Sequence, residues 1–205
     1  PYRNNKNESK TLNTASGSDK IGATNATTTG YYLRKYVNNS VTFEPGETTT
    51  SQQHNWILFR YAEILLNYAE AMVNAYGDPD YTGSYSLSAR DAVNQVRNRG
   101  DVKMPAYPAD MSKDAFLKRL KNERRVEFAF EGQRFWDLRR WKLGEKYFGV
   151  YPRGLNVEAT KDEDFFKDTQ MTSHIREFRT PANYLMPIPV DQVSNNPQMV
   201  QNPGY

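Results

Sequence analysis

The run at residues 122–141 constrains this chain more than any other part of its sequence. Glu123, Glu127 and Glu131 recur at intervals of four, so a helix would place the three carboxylates in one row. Like charges at this spacing repel by roughly 0.2–0.5 kcal/mol per pair, so the row needs cationic partners. We therefore predict a helix paired with arginines, for which the natural candidates are Arg119, Arg124, Arg134, Arg139 and Arg140.

Gly132 predicts a break within this run. Glycine inside a helix costs about 1 kcal/mol relative to alanine, and it readily takes the left-handed conformation that ends helices. We therefore predict two helices that meet at a corner, the first over residues 112–130 behind a Ser112 cap and the second over residues 133–141. The second helix is expected to bury three side chains that recur at intervals of three, Phe135, Leu138 and Trp141.

The clearest helical pattern covers residues 56–76, where apolar side chains recur at alternating steps of three and four. This stripe consists of Leu58, Tyr61, Leu65, Tyr68, Met72 and Ala75. It is widened by Ile57, Ile64 and Ala71. Because the stripe is broad, we predict that the helix contacts at least two neighbours.

A second helix is predicted over residues 88–99, where Ser88 and Asp91 have the spacing of a capping box and Gly100 supplies the stop. The small residues Ala69 and Ala71 on the first helix permit a close approach. The two helices and the loop between them have the form of a tetratricopeptide-type hairpin.

The remaining segments are polar or rich in proline, and they are predicted to be mostly loops. Residues 1–30 form a long surface segment, and residues 31–43 permit a short hairpin. Residues 145–179 are a polar connection with one strand around 175–178. The proline density from Thr180 onwards forbids regular structure, so this tail is expected to lie extended along the helices.

Composition argues against several classes of partner. The 205 residues carry a formal net charge of +3, but the cations alternate with acids and aromatic residues, so we expect no nucleic-acid partner. The chain contains no cysteine, and no apolar run approaches the roughly 20 residues of a membrane span. His54 and His174 are far apart in separate loops, so we expect no metal and no other cofactor.

The run at residues 123–141 resembles the signature of the SusD/RagB family, the surface glycan-binding lipoproteins of Bacteroidetes outer membranes. Residues 59–72 and the tail, at 185–190 and 201–205, are similar to the same family and follow in the family's order. We assign structural roles to the residues of these motifs, namely Arg60, Glu63, Glu123, Arg124, Glu127, Glu131, Gly132, Arg134, Trp136, Asp137, Arg139 and Trp141.

The resemblance implies a mainly α fold. It implies tetratricopeptide-like hairpins of a SusD-like α/α superhelix with long loops, at most a small hairpin, and an extended Pro-rich C-terminal tail. On this hypothesis the chain is the C-terminal part of a longer protein whose N-terminal part, signal peptide and lipid-attachment cysteine lie upstream. Residues 1–55 would be a polar loop segment that permits short strands, 56–143 the helical hairpins, and 144–205 the extended segment and tail. Helical faces that meet the upstream part are then expected to expose apolar area beyond a few hundred square ångströms.

The resemblance also implies a function without catalysis. The protein would bind an oligosaccharide or another small nutrient on the outer face of the outer membrane and deliver it to a SusC-like TonB-dependent transporter. Its only contact with the membrane would be a lipid anchor outside this chain. Two alternatives stay open: an interaction scaffold that docks the transporter while the ligand site lies in the missing half, and a glycoside hydrolase. A hydrolase needs two carboxylates facing each other across a cleft, which one side of one helix does not supply.

The family signature does not include its glycan platform, so candidate ligand residues come from the chain itself. Aromatic rings offer flat, weakly hydrated faces on which sugar rings can stack. The helix-borne rings, at core spacing, are expected to pack, namely Tyr61, Tyr68, Phe135, Trp136 and Trp141. The loop aromatics are better ligand candidates, namely Tyr2, Trp56, Tyr81, Tyr85 and Tyr107. The first guess is the opening segment, where a ring, a cation and two amides follow one another as Tyr2, Arg3, Asn4 and Asn5.

Overall fold

The structure, a computed structural model, describes residues 2–3, 9–10, 12–38, 53, 55–100, 102–159, 164–170 and 176–205. Of residues 2–3, 9–10, 159 and 164–170 it describes the backbone alone. The described chain contains six α-helices and two two-stranded sheets, so the prediction of a mainly α fold is confirmed. It divides into two compact units, one of Asn55–Trp136 and one of Pro1–His54 with Asp137–Tyr205.

The first unit is built from three helices, α1 (Tyr61–Tyr76), α2 (Ala89–Arg97) and α3 (Lys113–Glu127). α1 ends at Gly77, whose left-handed φ of 78° directs its N–H to the carbonyl of Val73. Both α2 and α3 contact α1. The predicted helical hairpin and the predicted pair of neighbours for α1 are therefore confirmed.

The caps that the sequence predicted are present at the helix ends. The Ser88 hydroxyl accepts a hydrogen bond from the Asp91 amide at 3.1 Å, and the Asp91 carboxylate accepts one from the Ser88 amide at 3.4 Å. The Ser112 hydroxyl caps α3 in the same way. Gly132, with a φ of 80°, separates α3 from α4 (Gln133–Arg140), so the predicted corner is confirmed.

The core of the first unit lies between its three helices. Its buried side chains are Leu65, Leu66, Ala69, Met72 and Val73 of α1, Ala89, Ala92, Val93 and Val96 of α2, Phe116 and Leu120 of α3, and Tyr107 and Phe128 from the adjoining segments. Ala69 and Ala92 are fully buried, and side chains this small let α1 and α2 approach closely. The packing of these apolar groups out of water supplies the main favourable free energy of this unit.

The start and the buried face of α1 differ from the prediction. The helix begins at Tyr61 rather than near residue 56, because Arg60 is extended, with φ −144° and ψ 156°. The fully buried residues Leu66, Ala69 and Val73 recur at steps of three and four, as the predicted stripe does. α1 therefore packs through Leu65 and Met72 of the predicted stripe together with the adjacent row that carries the small Ala69.

The predicted stripe is buried in its middle, at Leu65 and Met72, but its first part stays exposed together with the segment before the helix. Leu58 and Phe59 are 73% and 77% exposed, and Tyr61 and Ile64 are 69% and 56% exposed. The predicted burial of Leu58 and Tyr61 is therefore wrong, as it is for Ile57, Ile64, Ala71 and Ala75. An apolar surface of this kind is what the hypothesis of a longer protein expects, and that hypothesis stays a prediction.

The row of glutamates is paired with arginines, mostly from other elements than predicted. Arg60 donates to Glu131 at 2.7 and 3.0 Å and to the Glu127 carboxylate at 2.5 Å. The other partners are Arg97, which donates to Glu123, and Arg99, which donates to Glu127 at 2.9 Å. Of the predicted partners in the same run, Arg119 lies over the Tyr107 ring and Arg124 donates to Asn67. The spacing of the glutamates along one helix showed that the row needs cationic partners. It could not show that residues in and next to α1 and α2 would provide them.

α4 confirms the second predicted helix to within one residue, but not its buried side. Leu138 is 1% exposed, whereas Phe135 and Trp136 are 36% and 57% exposed and Trp141 is half-buried. Asp137 is buried, and it accepts a hydrogen bond from Arg140 at 2.9 Å. Steps of three residues drift by about 60° around a helix of 3.6 residues per turn, so three such positions do not share one face.

The second unit contains the helix α5 (Gly144–Phe148) and an antiparallel hairpin of β3 (Arg153–Ala159) and β4 (Asp164–Gln170). Residues 12–38 contact this hairpin, since the Leu155 amide donates to the Thr29 carbonyl at 2.8 Å. Gly30 has a φ of +74°, and a Cβ there would overlap the Leu155 carbonyl. A further two-residue pairing joins β1 (Tyr2–Arg3) and β2 (Ser9–Lys10).

The position of the main hairpin was not predicted. Residues 31–38 contain no strand, and residues 39–43 lie outside the described residues. The polar connection contains β3 and β4 instead, while residues 176–178 of the expected strand are not a strand and Ile175 is not described. Only Leu155 and Val157 mark an inner side in β3, and so short an alternation is a weak strand pattern.

The tail folds onto itself through side-chain amides. The Gln201 amide accepts from the Ile188 N–H and donates to the Ile188 carbonyl, both at 2.8 Å, and Asn202 donates to the Met186 carbonyl at 2.6 Å. The prediction that the tail has no regular structure is wrong, because it contains α6 (Val190–Asn195). Pro189 precedes this helix, where a missing N–H and a fixed φ are tolerated.

Arg60 forms ion pairs with Glu127 and Glu131, an arrangement that we call the arginine clamp. We expect this clamp to stabilise the first unit. Arg60→Ala removes charged hydrogen bonds to two half-buried carboxylates, so we expect a loss of about 2 kcal/mol in the free energy of unfolding. Urea denaturation followed by circular dichroism measures this loss. Arg125→Ala, an exposed arginine on α3, is the control and should change the free energy by less than about 0.5 kcal/mol. Equal midpoints for the two variants would show that the clamp does not stabilise the fold.

Candidate ligand-binding site

Three tyrosines form an exposed group at the end of α1, which we call the tyrosine cluster: Tyr76, Tyr81 and Tyr85. The rings of Tyr76 and Tyr81 stack with centroids 4.1 Å apart and planes inclined by 21°. The Tyr85 ring is tilted against Tyr76 at 6.1 Å, and their hydroxyl oxygens are 3.2 Å apart. The three side chains are 43%, 37% and 47% exposed, so a ligand can reach them from solvent.

The loop that carries two of these rings is fixed by a network of short-range bonds. The Asp80 amide donates to the Asp78 carboxylate at 2.8 Å, and the Tyr81 amide donates to the Asp78 carbonyl at 3.3 Å. Two side-chain nitrogens of Arg90 in α2 donate to the Asp80 carboxylate, at 2.5 and 2.6 Å. The backbone amide of Arg90 donates to the Pro79 carbonyl. The hydrogen bond from Arg90 lowers the pKa of Asp80. The rings are therefore presented by a loop that is tied to α2.

Gly83 lies close to the Tyr81 ring. The residue has a φ of +52°, and a Cβ there would lie within 2.7 and 2.9 Å of two carbons of the Tyr81 ring. Real side chains do not tolerate such contacts. The close approach that a glycine permits is thus part of the ring arrangement.

The tyrosine cluster offers ring surface and hydroxyl groups to a ligand. A tyrosine ring presents an apolar face and a polar hydroxyl, which together suit the alternating C–H faces and hydroxyl edges of a sugar. The hydrogen bond with Tyr85 raises the pKa of Tyr76. The phenol therefore stays protonated throughout the neutral range and can both donate and accept.

Among the predicted ligand residues whose side chains the structure describes, Tyr81 and Tyr85 are the two that come together. Trp56 is 65% exposed but lies before the start of α1, and the cluster follows its end, about 24 Å away along a helix of sixteen residues. Tyr107 is buried, edge-on to Phe116 with centroids 5.6 Å apart, and burial raises its pKa, so the interpretation as a loop ligand residue is wrong.

The predicted opening segment is described only in part. Tyr2 and Arg3 form β1, of which the backbone is described, and Asn4 and Asn5 lie outside the described residues. The sequence pattern did not indicate Tyr76 as a ligand residue, because Tyr76 is the last residue of the predicted helix. The available signal was three tyrosines within ten residues around Gly77.

The motif residues lie where they support the fold. Arg60, Glu123, Glu127 and Glu131 form ion pairs, Glu63 lies in the first turn of α1, and Arg124 and Asp137 are buried. Arg139 lies over the Phe148 ring at 5.6 Å, and Arg140 lies over the Trp141 ring at 4.6 Å. Gly132 makes the corner, and Arg134 and Trp136 follow it in α4. A purely structural role for this set stays a prediction.

Within the described ranges no three His, Asp or Glu side chains gather closely enough to hold a metal ion. His54 and His174 lie outside those ranges. No helix in the described part of the chain has the length and apolar character needed to cross a membrane.

The fold and the site define a helical-hairpin protein with an exposed aromatic surface. The chain belongs to the SusD family, whose model matches residues 2–205. It is 31% identical over 166 residues to SusD-like protein P2 of Formosa agariphila, a match that covers 78% of this chain and 28% of that protein. It is 37% identical over 101 residues to SusD-like protein P38 of the same organism, covering 46% of this chain and 18% of that protein. The chain thus spans less than a third of the length of these relatives.

Gly83→Ala tests how the cluster is held. The added methyl group meets the Tyr81 ring, so we expect the stacking on Tyr76 to be lost, which NMR contacts between the two rings would report. Gly100→Ala is the matched control, since Gly100 also has a positive φ, of +46°, but has no atom within 4 Å of an added Cβ. Both variants should lose about 1 kcal/mol of stability from backbone strain. Retained ring contacts in Gly83→Ala would contradict this role.

The ion pair between Asp80 and Arg90, which we call the tether, should make the order of the Tyr81 loop depend on pH. The pKa of Asp80 is lower in the folded state than its ordinary 3.8, so the tether's contribution is complete above that value and is lost as the pH falls through the folded pKa. We expect the Tyr81 ring signals to broaden in NMR spectra as the pH falls below about 4. Asp80→Asn should show the broadened signals at every pH. If that variant keeps the sharp signals of the parent near neutral pH, the tether does not order the loop.

Proposed function

We propose that this chain is part of a nutrient-binding protein of the outer membrane that captures an oligosaccharide on the tyrosine cluster without chemical turnover. The protein would be held at the cell surface by a lipid anchor outside this chain. It would deliver its ligand to a SusC-like TonB-dependent transporter. The supports are membership of the SusD family and the exposed cluster.

The observation that carries the proposal is the arrangement of three exposed rings, one at the end of α1 and two on a fixed loop. A loop that is already ordered loses little conformational entropy when a ligand binds, so more of the contact energy appears as affinity. The stacked pair Tyr76 and Tyr81 leaves ring surface open, and the Tyr85 hydroxyl lies beside it. Stacking combined with hydroxyl hydrogen bonds is the chemistry by which a neutral sugar is held.

The pairing of the glutamates favours binding without hydrolysis. Glycoside hydrolysis uses two carboxyl groups on opposite sides of the scissile bond, one of which acts as an acid. Glu127 and Glu131 both accept hydrogen bonds from Arg60, and Glu123 is paired with Arg97. Because Glu127 and Glu131 bind the same guanidinium, these two carboxylates do not lie on opposite sides of a cleft.

A second function, docking of a protein partner, is favoured by a different surface. Leu58, Phe59, Tyr61 and Ile64 leave an exposed apolar area at the start of α1. Surfaces of this kind are commonly covered by another protein or another part of the same protein. The scaffold hypothesis uses this surface, whereas ligand capture uses the opposite end of α1.

Isothermal titration calorimetry with a panel of neutral and acidic oligosaccharides tests the proposal. Tyr81→Ala removes the stacked ring, and we expect it to weaken binding about tenfold, which is the effect of losing an aromatic contact worth about 1.4 kcal/mol. Tyr31→Ala, which changes a tyrosine that is 59% exposed in the second unit, is the control and should bind like the parent.

Three results would contradict the proposal. An absence of binding to every oligosaccharide would remove the function from this chain and favour the scaffold. Unchanged affinity in Tyr81→Ala would remove the cluster from the site. Shortened products in the same samples, detected by mass spectrometry, would show turnover and overturn the non-catalytic function.

A further inference from the structure

A second concave surface lies on the first unit, along the outer side of α2. It is an open groove with a volume of about 810 Å³, within the roughly 300–1,000 Å³ typical of small-molecule sites. Its described lining has an apolar part, Leu87, Met104 and Ala106, and a polar part, Asp91, Asn94, Gln95 and Asn98. We call this surface the α2 groove.

The polar part follows from the spacing of residues in α2. Positions 91, 94, 95 and 98 are three, four and seven residues apart, so they lie on one face of the helix. The opposite face carries Ala92, Val93 and Val96, which are buried in the core. An exposed helix face usually carries lysine and glutamate, whereas this one presents three amides and one carboxylate.

The opposite wall of the groove is bonded to α2. The Met104 amide donates to the Arg97 carbonyl at 3.0 Å, and the Arg97 side chain donates to the Pro105 carbonyl at 2.7 Å. The Tyr107 amide donates to the Asn94 side-chain oxygen at 2.8 Å. These three bonds hold the segment with Met104 and Ala106 against the helix, so the groove is formed before a ligand arrives.

The amides of the groove have hydrogen-bonding capacity to spare. Asn94 uses its oxygen to accept from Tyr107, which leaves its amide hydrogens for a ligand. Gln95 and Asn98 are exposed, and their side chains make no hydrogen bond to the described residues. Each of these two amides can donate and accept, as a sugar hydroxyl can.

The charges around the groove disfavour an anionic ligand. The one charged group in its described lining is Asp91. Of the arginines that follow in and after α2, Arg97 pairs with Glu123 and Arg99 pairs with Glu127. A sulfate or carboxylate in the groove would meet a carboxylate of like charge with no lining arginine or lysine to offset it.

We propose that the α2 groove binds a neutral oligosaccharide and disfavours uronate and sulfated glycans, an inference that rests on the proposed function of sugar capture. Leu87, which lines the groove, is two residues after Tyr85, so their Cα atoms are at most about 7 Å apart. One chain of sugar units can therefore stack on the tyrosine cluster while its next units lie in the groove. The groove supplies selection by charge, and the rings supply stacking.

The test compares variants of the chain against two sets of probes by calorimetry. The neutral set is cellohexaose, maltohexaose, xylohexaose and laminarihexaose, and the acidic set is hexagalacturonate and a sulfated agaro-oligosaccharide. The double variant Gln95→Ala/Asn98→Ala should weaken binding of a neutral probe about tenfold or more. Asn122→Ala, which removes an exposed amide from α3, is the control and should leave the affinity unchanged. Asn98→Lys should improve binding of an acidic probe relative to the parent.

The outcomes separate the groove from the tyrosine cluster. Weaker binding in the double variant, with the control unchanged, supports the groove. Loss of binding in Tyr81→Ala with full affinity in the double variant would overturn the groove and leave sugar capture standing. Binding of the acidic set alone would overturn the selection by charge but not the proposed function. Binding to neither set would overturn both.

Discussion

The guanidinium of Arg60 is the contact on which the first unit depends. It is the last residue before α1, and it bonds two carboxylates at the end of α3 and the backbone carbonyl of Glu127 at 2.8 Å. That carbonyl belongs to the last turn of α3, where helical partners are missing, so the side chain of the residue before α1 caps the end of α3. The guanidinium also lies over the Phe128 ring at 4.7 Å. Burial lowers the pKa of Arg60, but the bonds to Glu131 and Glu127 raise it by more, so the charge is stabilised where it lies.

Because of this clamp and the ion pair of Glu123 with Arg97, the glutamates of the 122–141 run bind arginines and are not the candidate ligand residues. The glutamates and arginines of the corner satisfy one another, and burial without such pairing would be costly. The residues with exposed hydrogen-bonding groups and rings lie instead on the 77–88 loop and the outer face of α2. The frame and the candidate site are therefore built from different parts of the same unit, with the Asp80–Arg90 pair joining them.

Sequence patterns predicted the helices of the first unit well, because caps and stops are local. Ser88 and Ser112 cap the starts of α2 and α3 as predicted. Gly132 lies directly before α4, but α3 ends at Glu127, earlier than the predicted residue 130. The face of α1 was predicted in part: Leu65 and Met72 are buried as expected. The burial of Leu66, Ala69 and Val73 in place of Tyr61 and Ile64 depended on packing against the neighbouring helices. The site was predicted in part: loop position indicated Tyr81 and Tyr85, while Tyr76 joined them only through the fold of the loop.

The reciprocal bonds between Gln201 and Ile188 hold the residues after α6 against the residues before it. The glutamine side chain pairs with a backbone N–H and C=O as a neighbouring strand would, and Tyr205 adds a bond to the Leu185 carbonyl at 3.2 Å. These contacts close a ring of residues around α6, which restricts the chain in the manner of a non-covalent staple. Replacing the Gln201 side chain would therefore separate the two ends of the segment that contains α6, without changing any residue of that helix.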